Sequence, residues 1–135
     1  MGYTTTFEGC FKFNKQLTLR LKNELDAIHD KDWRNDTSRP GGDKDELSYH
    51  CQWVSDKQGM YLEWDQGENF YFYIEWLQWL INNFFYPIGI KLNGEVNWQG
   101  EENSDLGKII VKDNELKIKK GKVVWELEKV KKYKI

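Results

Sequence analysis

The sequence predicts an α+β fold: a ferredoxin-like β-α-β-β-α-β core with a C-terminal antiparallel β meander, two helices lying on one mostly antiparallel sheet. Three observations carry this expectation. Residues 69–86 contain no Gly or Pro and place apolar side chains at helical spacing. A shorter helical pattern lies earlier in the chain. Around both, apolar and polar residues alternate in short runs separated by turn formers.

Residues 3–13 set Tyr3, Phe7, Phe11 and Phe13 on one face and Thr4, Thr6, Glu8, Cys10 and Lys12 on the other, the pattern of a half-buried strand. Leu17, Leu21, Leu25 and Ile28 then recur at helical spacing and predict a first helix over 15–30. Residues 31–46 are charged and rich in turn formers, with Trp33 as the single large apolar residue. They predict a flexible loop over 31–48, either a tolerated insertion or a flap shaped by Arg34, Arg39 and the Pro40-Gly41-Gly42 turn. Two strands, 48–54 and 60–65, follow as a hairpin with its turn at Ser55–Gly59.

The helix expected over 69–86 has a capping-box pair in Asp65 and Glu68 and is closed by Pro87. Its core face comprises Phe70, Tyr73, Ile74, Leu77, Leu80, Ile81, Phe84 and Phe85. Past the helix, Ile88, Ile90, Leu92, Val96 and Trp98 share one side of an extended run that Gly94 interrupts as a bulge or turn. An acidic loop at 100–105 leads into Ile109 and Val111, a turn at Asp113-Asn114, and Leu116 and Ile118. Gly121 then turns the chain toward Val123, Trp125 and Leu127, and residues 125–135 form a basic extension. The 135 residues predict one domain.

A second aromatic stripe gives the long helix its interest. Phe72, Trp76, Trp79 and Asn83 follow the spacing i, i+4, i+7, i+11 on a different side from the core face. Such a stripe packs under a long loop or the other helix, or it contacts a second subunit, a partner or a planar ligand. Polar residues interrupt the run, so a membrane span is not expected. An aromatic fraction of 16% with seven Trp suits a core and an interface equally.

Net charge is −2 and unevenly spread. Residues 1–107 carry ten Lys/Arg and eighteen Asp/Glu, a net of −8; residues 108–135 carry ten Lys and four Asp/Glu, a net of +6. The basic residues alternate with apolar ones, as in a terminal hairpin lying beside an acidic body. Lys119, Lys120, Lys122, Lys131, Lys132 and Tyr133 are the candidate nucleic-acid contacts, since lysines meet phosphate and aromatics stack on bases. Against that reading stand three Arg and a pI of about 5.7.

Catalytic and metal signatures are weak. His50 and Cys51 are adjacent, so on a strand they point to opposite faces, and Cys10 with His29 has no recognisable spacing. No C-x-x-C or H-x-x-x-H pair marks a zinc site, and neither a metal nor a cofactor is expected. Two cysteines imply no disulfide framework. The carboxylates Glu63, Asp65, Glu75, Glu101, Glu102 and Asp105 could form an acid–base pair, as a small hydrolase needs, but 22 acidic residues supply such pairs by chance. The start at Met1-Gly2-Tyr3 shows no signal-peptide pattern, which predicts a cytoplasmic protein.

Several stretches carry a resemblance: MGYTTTFEG at 1–9, CQWV at 51–54, LEWD at 62–65, EWL at 75–77, LNGEVNWQGEENSD at 92–105, GKIIVKDN at 107–114 and GKVV at 121–124. With these the chain resembles an uncharacterised family of small bacterial and phage proteins across most of residues 1–124, most specifically over 93–114. The resemblance implies no activity and transfers no catalytic residue. It implies a phage-associated setting in a bacterial host. The functional expectation is therefore a non-enzymatic binding protein, forming a homo-oligomer and holding a host protein or a small nucleotide-like ligand through Phe72, Trp76, Trp79 and Asn83.

Overall fold

The aromatic side of residues 6–13 becomes the centre of the sheet. The computed structural model describes residues 2–42 and 47–127. Strand β1 (Thr6–Phe13) is followed by helix α1 (Leu19–Asp30), strands β2 (Trp53–Ser55) and β3 (Tyr61–Trp64), helix α2 (Tyr73–Leu80), and strands β4 (Leu92–Gln99), β5 (Leu106–Lys112) and β6 (Glu115–Lys120). All pairings are antiparallel, in the order β2-β3-β1-β4-β5-β6. The α+β class stands. Across the whole sheet the order is that of six strands, not of a four-stranded ferredoxin-like sheet.

Alternation places Phe7, Phe11 and Phe13 on the buried side of β1. Opposite them, Val96 and Trp98 of β4 and Ile109 and Val111 of β5 continue the same layer. Leu25 of α1 and Trp76, Leu77 and Leu80 of α2 close it from above as one core. Phe7 is the hub: its ring meets Trp53, Trp64, Phe70 and Tyr73 edge-on at centroid distances of 4.9–5.9 Å. Edge-to-face pairs of this kind contribute about 0.5–1.5 kcal/mol each beyond their area.

Two glycines let β1 and β4 approach. Gly9 has φ +106° and Gly94 φ +147°. A Cβ at Gly9 would collide with the backbone carbonyl oxygen of Glu95 across the pair. We therefore expect Gly9→Ala to cost about 1–3 kcal/mol, read as a lowered urea midpoint at unchanged slope; an unchanged midpoint would mean that the strands can shift apart freely.

The long helix departs from its expected limits at both ends. Asn69 and Phe72 adopt left-handed backbone (φ 58° and 59°), so regular α-helix begins only at Tyr73. The Asp65/Glu68 capping box does not form: Phe72 occupies the cap position without a side-chain hydrogen bond, and Asp65 is engaged elsewhere. Beyond Leu80 the chain widens into a π-helical turn (Ile81–Phe85) and tightens into a 3-10 turn (Tyr86–Ile88). Pro87 explains this, because its ring and missing N–H forbid the regular i→i−4 bond back to Asn83. Gly89, with φ +72°, ends the segment.

Residues 31–42 are not a loose excursion. Trp33 is buried, receives the backbone link Trp33 N–H to the Tyr49 carbonyl (2.9 Å), and donates its indole N–H to the Ile28 carbonyl at 3.0 Å. Arg39 is buried too; it donates to the carbonyls of Trp33, Arg34 and Asp36 at 3.0–3.2 Å and to the Ser48 hydroxyl at 3.2 Å. One guanidinium thus satisfies three turn carbonyls that α-helix or sheet would otherwise pair.

The hairpin β5–β6 turns at Asp113-Asn114, both left-handed as a type I′ turn requires. After β6, residues 121–127 carry no regular structure, so the further strand expected at Val123, Trp125 and Leu127 is absent from the described residues; those three side chains are exposed. Among the described residues β6 is an edge strand, and its Lys117, Lys119 and Lys120 are all exposed. No helix among the described residues is long and apolar enough to cross a membrane.

Candidate metal centre

The chain has two histidines, and the fold brings both to one place. Thr18 caps α1, its hydroxyl accepting from the Leu21 N–H at 3.2 Å, and the helix runs on to put His29 in its last turn. His50 lies in the irregular segment that enters β2. The β2–β3 register pairs Trp53 with Trp64, and the Asp65 N–H reaches the Gln52 carbonyl at 3.0 Å, so Asp65 leaves β3 beside the entry of β2. The end of α1 meets the open end of this hairpin.

The donor atoms of His29, His50 and Asp65 all lie within 4.8 Å of one another. His29 Nε2 is 2.7 Å from Asp65 Oδ2, and the two imidazole centroids are 5.3 Å apart. Tetrahedral coordination at ~2.0–2.1 Å places neighbouring donors about 3.3 Å apart, so side-chain rotation of about an ångström closes the set around an ion. The supporting contacts are already present. His29 Nδ1 is 2.9 Å from Asp30 Oδ1, the carboxylate–histidine arrangement that orients a ligating ring. Asp65 Oδ1 accepts the Gly67 N–H at 2.7 Å, which leaves Oδ2 facing the histidines.

Protonation distinguishes the two rings, and a metal would displace the proton that His29 holds. Burial alone would lower the His29 pKa, but hydrogen bonds to Asp65 and Asp30 outweigh it and hold the value above the ordinary 6.5. Burial and then the neighbouring charge of His29 pull His50 below that value. The cluster therefore pairs an imidazolium-prone ring locked to two carboxylates with a ring held neutral and ready to donate its lone pair.

The residues expected to bind do not converge on an open surface. Trp76 is fully buried, Phe72 and Trp79 are half-buried, and Asn83 is exposed with its amide donating to the Trp79 carbonyl at 3.0 Å. Trp33 covers the stripe, its ring centroid 5.6 Å from that of Trp76 and 5.1 Å from that of Trp79. The Trp79 indole N–H is tied to the Ser38 carbonyl at 2.6 Å. Of the roles the stripe offered, it is the one beneath the loop that these contacts realise. Trp76 Nε1 is a buried N–H with no hydrogen-bond partner among the described residues. Lys119 and Lys120 are exposed on β6, Lys122 just past it; Lys131, Lys132 and Tyr133 lie outside the described residues.

Asp105 accepts from the Tyr3 hydroxyl at 2.7 Å and the Trp98 indole at 3.0 Å, so it fastens the acidic loop to the N-terminal segment. Burial pushes the Cys51 thiol up to about 12, and burial together with Glu63 raises that of Cys10. A raised value keeps the unreactive thiol form at neutral pH. We expect Cys51 to resist iodoacetamide at pH 8 until the protein is unfolded and Cys10 to react slowly, as mass spectrometry of the alkylated chain would read; rapid labelling of Cys51 in the native state would contradict its burial. Comparison with family models, curated proteins and solved structures finds no match for the chain.

Sequence spacing hid the histidine–carboxylate cluster because its three members come from a helix end, an irregular segment and a strand end. The only available signal was economy: a chain with just two histidines.

Proposed function

We propose that the protein binds a divalent transition-metal ion through His29, His50 and Asp65. The observation that carries this reading is the convergence of both histidines on a carboxylate whose second oxygen is already fixed by the Gly67 N–H. Two imidazoles and one carboxylate suit zinc, iron or nickel better than magnesium or calcium, which prefer oxygen donors. Three protein ligands leave a coordination position for water or a small ligand, as catalytic rather than structural zinc sites do. The test is titration calorimetry of the full chain with zinc chloride. One ion per chain is expected, with binding lost in His50→Ala; equal binding by that variant would refute the assignment.

We also read strands β1–β4 as a ferredoxin-like core to which β5 and β6 are added. In support, β1 lies between β3 and β4, β2 flanks β3, and each half is a strand, a helix and a strand.

A further inference from the structure

The side of the sheet away from the helices holds a second candidate site, independent of the histidine cluster. A concavity of about 590 Å³ lies across β1, β4, β5 and β6, in the ~300–1,000 Å³ range of small-molecule sites. Its chemistry is ordered by strand register. One row runs Glu8, Asn97, Lys108, Lys119, each residue directly opposite the next. With strands ~4.8 Å apart, that row spans about 14 Å. The next row contributes Thr6, Gln99 and the half-buried Leu106, and Gly121 adds no side chain to the wall.

The row has a polarity. A carboxylate stands at the β1 end, a neutral amide follows, and two ammonium groups stand at the β6 end. Lys108 and Lys119 occupy directly opposed positions on one face, where like charges destabilise the pair. Lys108 has Glu95 at 3.7 Å, while Lys119 has no ion-pair partner among the described residues. An anion seated between the two lysines removes the repulsion. A phosphate does so best, offering acceptors to both ammonium groups at once. Toward β1 the same ligand meets the apolar Leu106, then the exposed amide of Asn97, then a carboxylate that accepts from a hydroxyl or amino group. The site thus discriminates along its length: acceptors are favoured at one end and donors at the other.

We propose that this face binds a small organic phosphate, its phosphate between Lys108 and Lys119 and its hydrogen-bonding body over Leu106 and Asn97. A nucleoside monophosphate has this chemistry. A nucleic-acid strand fits less well, because no aromatic side chain stands out from the row to stack successive bases; Trp98 borders the concavity, but its ring is buried and packs on Tyr73.

The experiment is a two-dimensional amide NMR titration of the full chain with adenosine monophosphate, and separately with inorganic phosphate and with adenosine. Adenosine monophosphate is expected to move the amides of residues 97, 106–108 and 119, while phosphate alone moves those of 108 and 119 more weakly. Lys119→Glu and Lys108→Glu are each expected to weaken the nucleotide about ten-fold or more, with spectra otherwise unchanged. His50→Ala is expected to bind the nucleotide as the parent does, which separates this site from the metal centre. The proposal is overturned by shifts confined to other surfaces, by charge-reversal variants of undiminished affinity, or by no response at millimolar nucleotide. It is equally overturned if oligothymidylate binds more tightly than the monophosphate with a steep salt dependence, which makes the face a nucleic-acid surface.

Discussion

Trp76→Ala is expected to destabilise the protein by about 3–5 kcal/mol, a large part of a typical domain's 5–15 kcal/mol. The side chain is fully buried among Trp33, Trp79 and the core, so truncation leaves a cavity that three neighbouring elements must collapse into. Urea denaturation followed by fluorescence reads the loss directly. A second variant isolates the polar contribution. Trp76→Phe removes an indole N–H that has no partner among the described residues, and a buried unsatisfied donor costs about 1–3 kcal/mol, so much of the lost packing is offset. Trp53→Phe has no such offset, because it removes an indole N–H that is already bonded, to the Tyr73 carbonyl at 2.9 Å. The order of stability should therefore be Trp76→Phe above Trp53→Phe. A Trp76→Ala variant of near-parental stability would mean that the loop does not seal the stripe.

Zinc is expected to raise the melting temperature by about 10 °C at a free concentration one hundred times its Kd. Ligand binding to the native state alone then adds about 2.7 kcal/mol, and unfolding a chain of 135 residues carries an entropy of about 0.28 kcal/mol per kelvin. Addition of a chelator should restore the original value. The clean control is His50→Ala. His50 donates no hydrogen bond among the described residues, so its loss should erase the zinc response while leaving the metal-free melting temperature nearly intact. His29→Ala should do more, because it also severs the 2.7 Å contact to Asp65 and so loosens α1 from the hairpin. If zinc leaves the melting temperature of the parent protein unchanged, the histidines form only a hydrogen-bonded cluster.

How much of this was written in the chain depends on whether local pattern or distant pairing decides. Period-two alternation at Phe7, Phe11 and Phe13 and helical spacing through Leu77, Leu80, Ile81, Phe84 and Phe85 read correctly as buried faces. The Asp113-Asn114 turn was equally plain. Three features needed tertiary contacts. Trp33, one aromatic in a polar run, looked incidental until it lay against Trp76 and Trp79. Arg39, expected in a tolerated insertion or a flap, serves as a buried hub for carbonyls. The left-handed backbone at Asn69 and Phe72 shortened a helix whose side-chain pattern was continuous, because apolar spacing reports which residues are buried and not which backbone conformation buries them. The histidine cluster was invisible for a related reason: its spacing is set by the β2–β3 register and the length of α1.

The edge strand β6 bears on how copies of the protein meet in a crowded solution. Its outer row of peptide groups is a template onto which another extended chain can add, the first step of ordered aggregation. Lys117, Lys119 and Lys120 make each such template electrostatically hostile to an identical one approaching it. That protection is a matter of charge and not of shape, so it weakens as the ~10 Å screening length at 0.1 M salt shrinks toward ~3 Å at 1 M. Colloidal stability at the margin of the sheet therefore belongs to dilute electrolyte, while the aromatic interior, held by packing, is largely indifferent to it.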